Sequence, residues 1–447
     1  MKIAQMVEKI KKGQISCAEL VARDIAKIEE NKHLNAVIEI NPDAFDIAKA
    51  LDEAPVKDGA LYGIPILVKD NVNTADKMRT SVGSVAFAEN IANSDAEIVR
   101  LLRKAGAVIL GKTNMTEFAN YMTDWRTSPM PNGYSSRGGK TMHPDCPDAD
   151  PLGSSSGSAV AVAAGLCAAA IGSETYGSII APAQYCGVVG IKPTDGLVSK
   201  EGGFPISFTL DIFGPMTRCV DDAALVLGVI ADRKYEIFDD VSNVRIGVCS
   251  KGGMGESKNS EWLEANKKLV TVLKDKGFNL CDVPDYNIDE VFVFPIMQYE
   301  FKHGINSYLD KYRKVESVPK NLQEIIDYNE KHADVALKYG QGNLLDSNKT
   351  PDDFRSVPEY IEGCSNREDA IVALNKYFDD NNIDVLFMTT AHYGVAPATG
   401  FPSMTIPIGR TKDGLPIGCC FIARRFDEET LMSVMKAVEK LELKVVE

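Results

Sequence analysis

Residues 106–113 read GAVILGKT, and two folds compete for them. The run satisfies the phosphate-loop expression G-x-x-x-x-G-K-[ST], which requires a strand before its first glycine and a flexible turn whose amides wrap a phosphate. Here the residues between the glycines are Ala107, Val108, Ile109 and Leu110, an apolar run of strand type, and a helical pattern from Asp95 to Ala105 leads straight into it. The segment therefore reads as the strand itself, and nucleotide binding by this motif is not expected. The same texture recurs on both sides. AVIEI (36–40) and IPILV (64–68) lie upstream; DVLFM (384–388), SMTIPIG (403–409) and GLPIGCCFIA (414–423) lie downstream, before a closing helix from Glu428. Strand-like runs alternating with helical stretches make the fold class α/β, a sheet sandwiched by helices.

The chain opens with two helical patterns. Ile3, Met6, Val7 and Ile10 share one face, Leu20, Val21, Ile25 and Ile28 another, and Ser16 with Glu19 forms a capping box for the second helix. No repeat, low-complexity tract or Gly/Ser linker divides the 447 residues, so a single domain is expected, and 45% hydrophobic residues suffice for its core. The net charge of −14 comes without a Lys/Arg stripe, which argues against direct nucleic-acid contact. Ten scattered cysteines without a C-x-x-C pair read as reduced, buried thiols, and no apolar run reaches the length of a membrane span. A cytoplasmic protein without membrane insertion is expected.

Two segments carry chemistry. In GIPILVKDN (63–71), Lys69 ends an apolar run, so burial is expected to pull its amine towards neutrality, where it can act as a base. Taken alone, a lysine after a strand is more often a surface residue. The second segment is PLGSSSGSAVAVAAG (151–165) followed by SETYGSIIAP (173–182). Its small-residue run AVAVAAGLCAAA predicts a closely packed helix, and the Pro-, Gly- and Asp-rich stretch from Thr127 to Pro151 predicts a long ordered loop delivering the serines. GSSSG, with Ser155 at its centre, also matches the nucleophile-elbow expression G-x-S-x-G. The approach HPDCPDADPL cannot be the buried strand an elbow needs, and none of His33, His143, His303, His332 and His392 is marked as a partner base. Near Ser178, Gly177 permits a sharp turn whose successive amides can converge as an oxyanion hole. The plainer readings are an N-cap for the serine cluster and a Gly-Ser turn for Ser178.

In order along the chain, LYGIPILVKDN, DAEIVRLLRKAGAVILGKTNMTEFA, GSSSGSAVAVAAG, GSETYGSIIAPAQYCGVVGIKPT, GPMTRCVDDAA, GFPSMTIPIG and GLPIGCCF resemble the amidase signature family. The resemblance spans nearly the whole chain and makes the GAVILGKT run a strand there too. It implies one domain over 1–447 built on a central mixed β-sheet with helices on both faces. Within it lie N-terminal helices (1–34), a catalytic core (55–230) and a more polar helical region (288–366) that shapes the substrate pocket. It further implies a Ser, cis-Ser, Lys triad, with Lys69 as base, Ser154 as bridging serine after a cis peptide and Ser178 as nucleophile. An oxyanion hole would come from the amides of Thr175, Tyr176 and Gly177 with that of Ser178. No metal or organic cofactor is implied. Substrate contacts are expected from Ala119, Asn120 and Tyr121 and from the loop around Asn132 to Arg137, although scaffold packing explains each of these equally well.

Three departures bear on substrate. The family's usual GGSSGGS is LGSSSGS, its D-T-G-G-S is Glu174 to Ser178 with Tyr176 in the third position, and its arginine two residues after the nucleophile is Ile180. Tyr176 must either narrow the pocket or support the turn. The motif details are most similar to the peptide amidase branch, which implies a small-molecule or peptide amide substrate and release of ammonia, C-terminal peptide amides being the leading case. The alternatives are the glutaminase-type subunit of a tRNA-dependent amidotransferase, a hydrolase of N-substituted amides or esters, and a binding protein that has lost catalysis. Oligomeric state is not legible.

Overall fold

The computed structural model describes residues 1–124, 129–250 and 254–441. Its spine is an eleven-stranded sheet. In chain order the strands are β1 (Val37–Ile40), β2 (Pro65–Lys69), β3 (Val108–Thr113), β4 (Ala169–Glu174), β5 (Val189–Lys192), β6 (Ile212–Thr217), β7 (Ile246–Cys249), β8 (Leu280–Asp282), β9 (Val385–Met388), β10 (Ser403–Arg410) and β11 (Pro416–Ala423). They lie in the order β1-β3-β2-β4-β6-β5-β10-β11-β9-β7-β8. The sheet is mixed: β3, β2 and β4 run parallel, as do β9, β7 and β8, and antiparallel pairs join these blocks. GAVILGKT is strand β3, buried throughout, as its apolar filling requires.

Helices α1 (Ile3–Lys11) and α2 (Cys17–Glu30) open the chain, with Ser16 Oγ accepting from the Glu19 amide and the Glu19 carboxylate accepting from the Ser16 amide. They are followed by α3 (Ala44–Glu53), α4 (Glu97–Lys104), α5 (Ser156–Ala163), α6 (Ile180–Tyr185), α7 (Val220–Ile230), α8 (Ser260–Asp275) and α9 (Val293–Tyr312). Every residue of α5 from Ser156 to Val162 is buried, the state expected of a helix that is small and apolar all round. It packs so closely that a methyl group on Gly157 would stand 2.3 Å from Asn114 O and 2.4 Å from Ala36 O. The expected helix over AVAVAAGLCAAA is shorter than its composition suggests. It stops at Ala163, the chain turns at Gly165 (φ +69°), and Ala169 and Ala170 already belong to β4. Alanine fits either state, so the glycine decides the boundary.

Beyond α9 the polar middle of the chain is helical over Leu322–Lys331, Ala333–Ala336 and Gly342–Asn348, and a long helix, Pro358–Asp380, runs well past residue 366. The first residues of the expected loop, Thr127 and Ser128, lie outside the described residues, as do 442–447. From 129 onward the loop is pinned by Gly133 N–H to Thr116 Oγ1 (2.8 Å) and by Asn132 Nδ2 to Asp150 (2.9 Å). Among the described residues no helix is long and apolar enough to cross a membrane.

Candidate active site

Strands β2 and β4 are parallel neighbours, and their carboxyl ends open onto the same crevice, where α/β sheets commonly bind ligands. Lys69 is the last residue of β2 and fully buried; Ile66, Leu67 and Val68, which precede it, have no exposed surface either. Its Nζ lies 2.7 Å from Ser154 Oγ, 2.9 Å from Ser155 Oγ, 2.9 Å from Ser173 Oγ and 3.2 Å from Ser173 O. Burial pulls the amine down to about 7, while the charges of Asp211 and Glu174 oppose the shift. Close to neutral pH such an amine exchanges a proton readily with a hydroxyl 2.7 Å away.

The peptide between Gly153 and Ser154 is cis, and Leu152 before it has a positive φ of 54°. Ser154 O accepts from the Thr116 amide at 3.1 Å, so the turn is fixed from the β3 side. Ser155, the centre of the elbow-like motif, has a different occupation. Its hydroxyl donates to Ser173 O (2.9 Å) and accepts from Ser173 N–H (3.1 Å), tying the serine turn to β4. His143 and His392 are both committed elsewhere, His143 to Tyr185 O and to the amides of Asp145 and Cys146, His392 to Gln184.

Ser178 lies in the turn between β4 and α6, half-buried, and its carbonyl accepts from Ser155 N–H at 3.3 Å. Ser178 Oγ has no hydrogen-bond partner among the described residues, and the bond from Ser155 N–H to Ser178 O joins its turn to the serine turn that holds Ser154. The turn itself is held residue by residue. Thr175 Oγ1 donates to Asp211 at 2.5 Å, and the Tyr176 hydroxyl donates to Glu290. Gly177 adopts φ +84° against the Tyr393 ring, and Glu174 Oε2 accepts from the amides of Ile179 (2.7 Å) and Ile180 (3.1 Å). Burial raises the Glu174 carboxyl; Lys192 and the amides of Ile179, Ile180 and Gly177 favour its ionised form. Asp211, half-buried, is pushed up to about 6 by desolvation, against the bonds from Thr175, Ile206 and Ser207. The Ile180 side chain is fully buried, so the position is apolar and holds no charge.

A cavity of about 580 Å³ adjoins the site. Asn71, Ser173 and Thr175 line it from the sheet, Phe204 and Phe208 from the loop before β6, and Ser307 and Tyr308 from α9. A cavity of about 660 Å³ around Leu101, Leu225 and Tyr235, between α4 and α7, holds none of these residues. Of the three expected substrate contacts, Ala119 lines the cavity beside the site, and Phe118, Ala119 and Asn120 form a left-handed turn with φ between 48° and 71°. Tyr121 instead packs inside, its ring centroid 4.6 Å from that of Phe301 and its hydroxyl 3.2 Å from Ser347 Oγ. In the 132–137 loop, Arg137 pairs with Glu39 at 2.5 Å and Ser136 binds the buried Glu117, so both side chains are occupied within the scaffold. The sequence reading did not single out Ser155 or Ser173 as contacts of Lys69, nor Asp211 and Glu174 as tethers of the turn. Ser173 and Glu174 stand beside the singled-out residues, but Asp211 lies some thirty positions later in the chain and only strand pairing between β4 and β6 brings it near.

A family model described as Amidase matches residues 19–394. A probable amidase of Arabidopsis thaliana is 32% identical over 95% of this chain and 86% of its own. A glutamyl-tRNA(Gln) amidotransferase subunit from Akkermansia muciniphila is 32% identical over 98% of both chains. Among solved structures, the native peptide amidase from Stenotrophomonas maltophilia superposes with a TM-score of 0.87 at 33% identity, covering 99% of this chain and 97% of its own.

Proposed function

The chain belongs to the amidase family and is an amide hydrolase, and on that premise we propose that Ser178 is its nucleophile, Ser154 the bridge and Lys69 the base of a relay without metal. The observation that carries the reading is the buried Lys69 amine at 2.7 Å from Ser154 Oγ, with the Ser178 turn joined to the same serine turn through the bond from Ser155 N–H to Ser178 O.

Proton accounting supports the direction of the relay. Ser155 Oγ spends its one proton on Ser173 O, so towards Lys69 it can only accept, and Ser173 O can only accept as well. A neutral amine that spends its two N–H bonds on these groups turns its lone pair to a hydroxyl with a proton to give, Ser154 or Ser173, and of the two only Ser154 belongs to the serine turn that Ser155 N–H joins to Ser178 O. With its proton directed at Lys69, Ser154 Oγ is free to accept from Ser178 as Ser178 attacks the carbonyl carbon. The developing oxyanion falls to the amides of Thr175, Tyr176, Gly177 and Ser178. The proton returns through Ser154 to the leaving nitrogen, ammonia departs, and water cleaves the ester between the acyl group and Ser178.

For substrate we infer a primary amide, with C-terminal peptide amides first. The likeness to the peptide amidase over nearly the full length of both chains and a cavity of about 580 Å³ beside Thr175 support an acyl portion far larger than acetyl. A second reading has its own support in the full-length likeness to an amidotransferase component, namely ammonia release from glutamine for a partner. The deciding experiment is ammonia release from amidated dipeptides, glutamine and short aliphatic amides by the purified protein beside Ser178→Ala. Peptide amides are expected to turn over and glutamine not to. Glutamine turnover that rises on adding a partner protein would favour the second reading, and activity surviving in Ser178→Ala would end the first.

A further inference from the structure

Resting on the reading of Ser178 as nucleophile, we propose that Tyr176 and Glu290 are positioning residues that tie the oxyanion turn to the helical region forming one wall of the cavity. Tyr176 stands inside the turn, one residue before Gly177, where a side chain as large as tyrosine has to be housed. It does not line the cavity beside the site. The hydroxyl donates to Glu290 Oε2, and the ring meets Tyr393 edge to face, with centroids 5.7 Å apart and planes at 67°. Both rings pack against the apolar cluster around Phe292, Val293 and Ile296, the residues that follow Glu290 and begin α9. On its other side Gly177 rests on the same Tyr393 ring, where a methyl group would stand 2.9 Å from Cε1.

The turn is thus gripped from two directions. Asp211 holds Thr175 from β6 within the sheet, and Glu290 holds Tyr176 from the segment leading into α9. Further along, α9 presents Ser307 and Tyr308 to the cavity. Glu174, through the amides of Ile179 and Ile180, and the bond from Ala181 N–H to Gly177 O hold the far end of the turn; the Tyr176–Glu290 bond is the side-chain hold on the residue between these and Thr175. An oxyanion donor acts only when aimed at where charge develops, so a phenol–carboxylate bond at this point controls the transition state and leaves ground-state binding nearly unchanged.

The test measures the rate at which a fluorophosphonate labels Ser178, together with kcat and KM on an amide whose turnover is lost in Ser178→Ala. Tyr176→Phe keeps the ring on Tyr393 and removes only the donor; Glu290→Ala removes the acceptor; Glu290→Gln keeps an acceptor oxygen. Expected are about tenfold losses in labelling rate and kcat for the first two, KM within about twofold, and recovery of most of the rate in Glu290→Gln. That loss is smaller than the roughly 10²–10³ for deleting an oxyanion donor outright. The double variant is expected to be no slower than either single one, because both remove one contact. Unchanged labelling in a variant whose melting temperature matches wild type would overturn the proposal, as would losses that multiply in the double variant. Should wild type itself resist labelling at Ser178, the assignment of the nucleophile falls and this proposal falls with it; labelled wild type with indifferent variants sinks the proposal alone.

Discussion

Lys69 Nζ and Ser154 Oγ stand 2.7 Å apart, and the lysine has no exposed surface. Four oxygen atoms surround the amine, from Ser154, Ser155 and Ser173, and no carboxylate oxygen lies within ion-pair distance of it among the described residues. Hydroxyls and a carbonyl solvate an ammonium less well than water does, so burial wins over the more distant attraction of Asp211 and Glu174.

The sign of the pH dependence follows. The cation cannot accept a proton, so kcat/KM is expected to fall about tenfold per pH unit below the lysine's value of about 7 and to level off above it. Lys69→Arg, which keeps a charge that does not ionise in this range, is expected to be inactive throughout, and Lys69→Ala to lose most activity while staying folded. A pH–rate profile of wild type beside circular dichroism and activity of the two variants checks this. Activity in Lys69→Arg that matches wild type would remove lysine from the role of base.

If Ser154 and Ser178 act on one proton, as proposed, their removal is not additive. Each alanine variant is expected to lower kcat by roughly 10³ or more, and the double variant to be no worse than the poorer single one. Single-turnover rates on one amide substrate decide it; a double variant slower by the product of the two losses would mean that the serines serve separate steps.

How much of this was legible beforehand follows from the range of the interactions. Lys69 at the end of an apolar pentapeptide, and Gly177 before Ser178, are local patterns, and the structure has them at a strand end and in a sharp turn. The strand reading of 106–113 was local too, since four consecutive apolar residues cannot form a solvated phosphate loop. The helix end at Ala163 was not legible because alanine is indifferent to the state it occupies. Asp211 and Glu290 were illegible for another reason: each reaches the turn through the tertiary fold, Asp211 through β6 and Glu290 through the approach to α9. Tyr176 posed a choice between blocking and bracing, and only its hydroxyl's partner resolves that in favour of bracing.

Gly157 offers a test of the fold independent of catalysis. With Asn114 O and Ala36 O at 2.3 and 2.4 Å from where a methyl group would go, both backbone atoms, Gly157→Ala must push α5 away from the ends of β1 and β3. A loss of about 1–3 kcal/mol is expected, seen as a lower urea midpoint with an unchanged slope. A variant as stable as wild type would mean that α5 sits further from the sheet than described.

Substrate size should be readable from the cavity wall. Ser307 lines the cavity from α9, and among the described residues it has no hydrogen bond to Lys69, Ser154 or Ser178. Ser307→Phe fills part of the roughly 580 Å³ without touching the proton relay. If the acyl portion of the substrate lies there, KM for an amidated dipeptide should rise at least tenfold while kcat/KM for acetamide stays within about twofold, because a steric block acts only on a substrate long enough to meet it. Equal losses on both substrates would point to a displaced α9 acting through the turn, and equal retention on both would mean that the acyl chain leaves the site by another route.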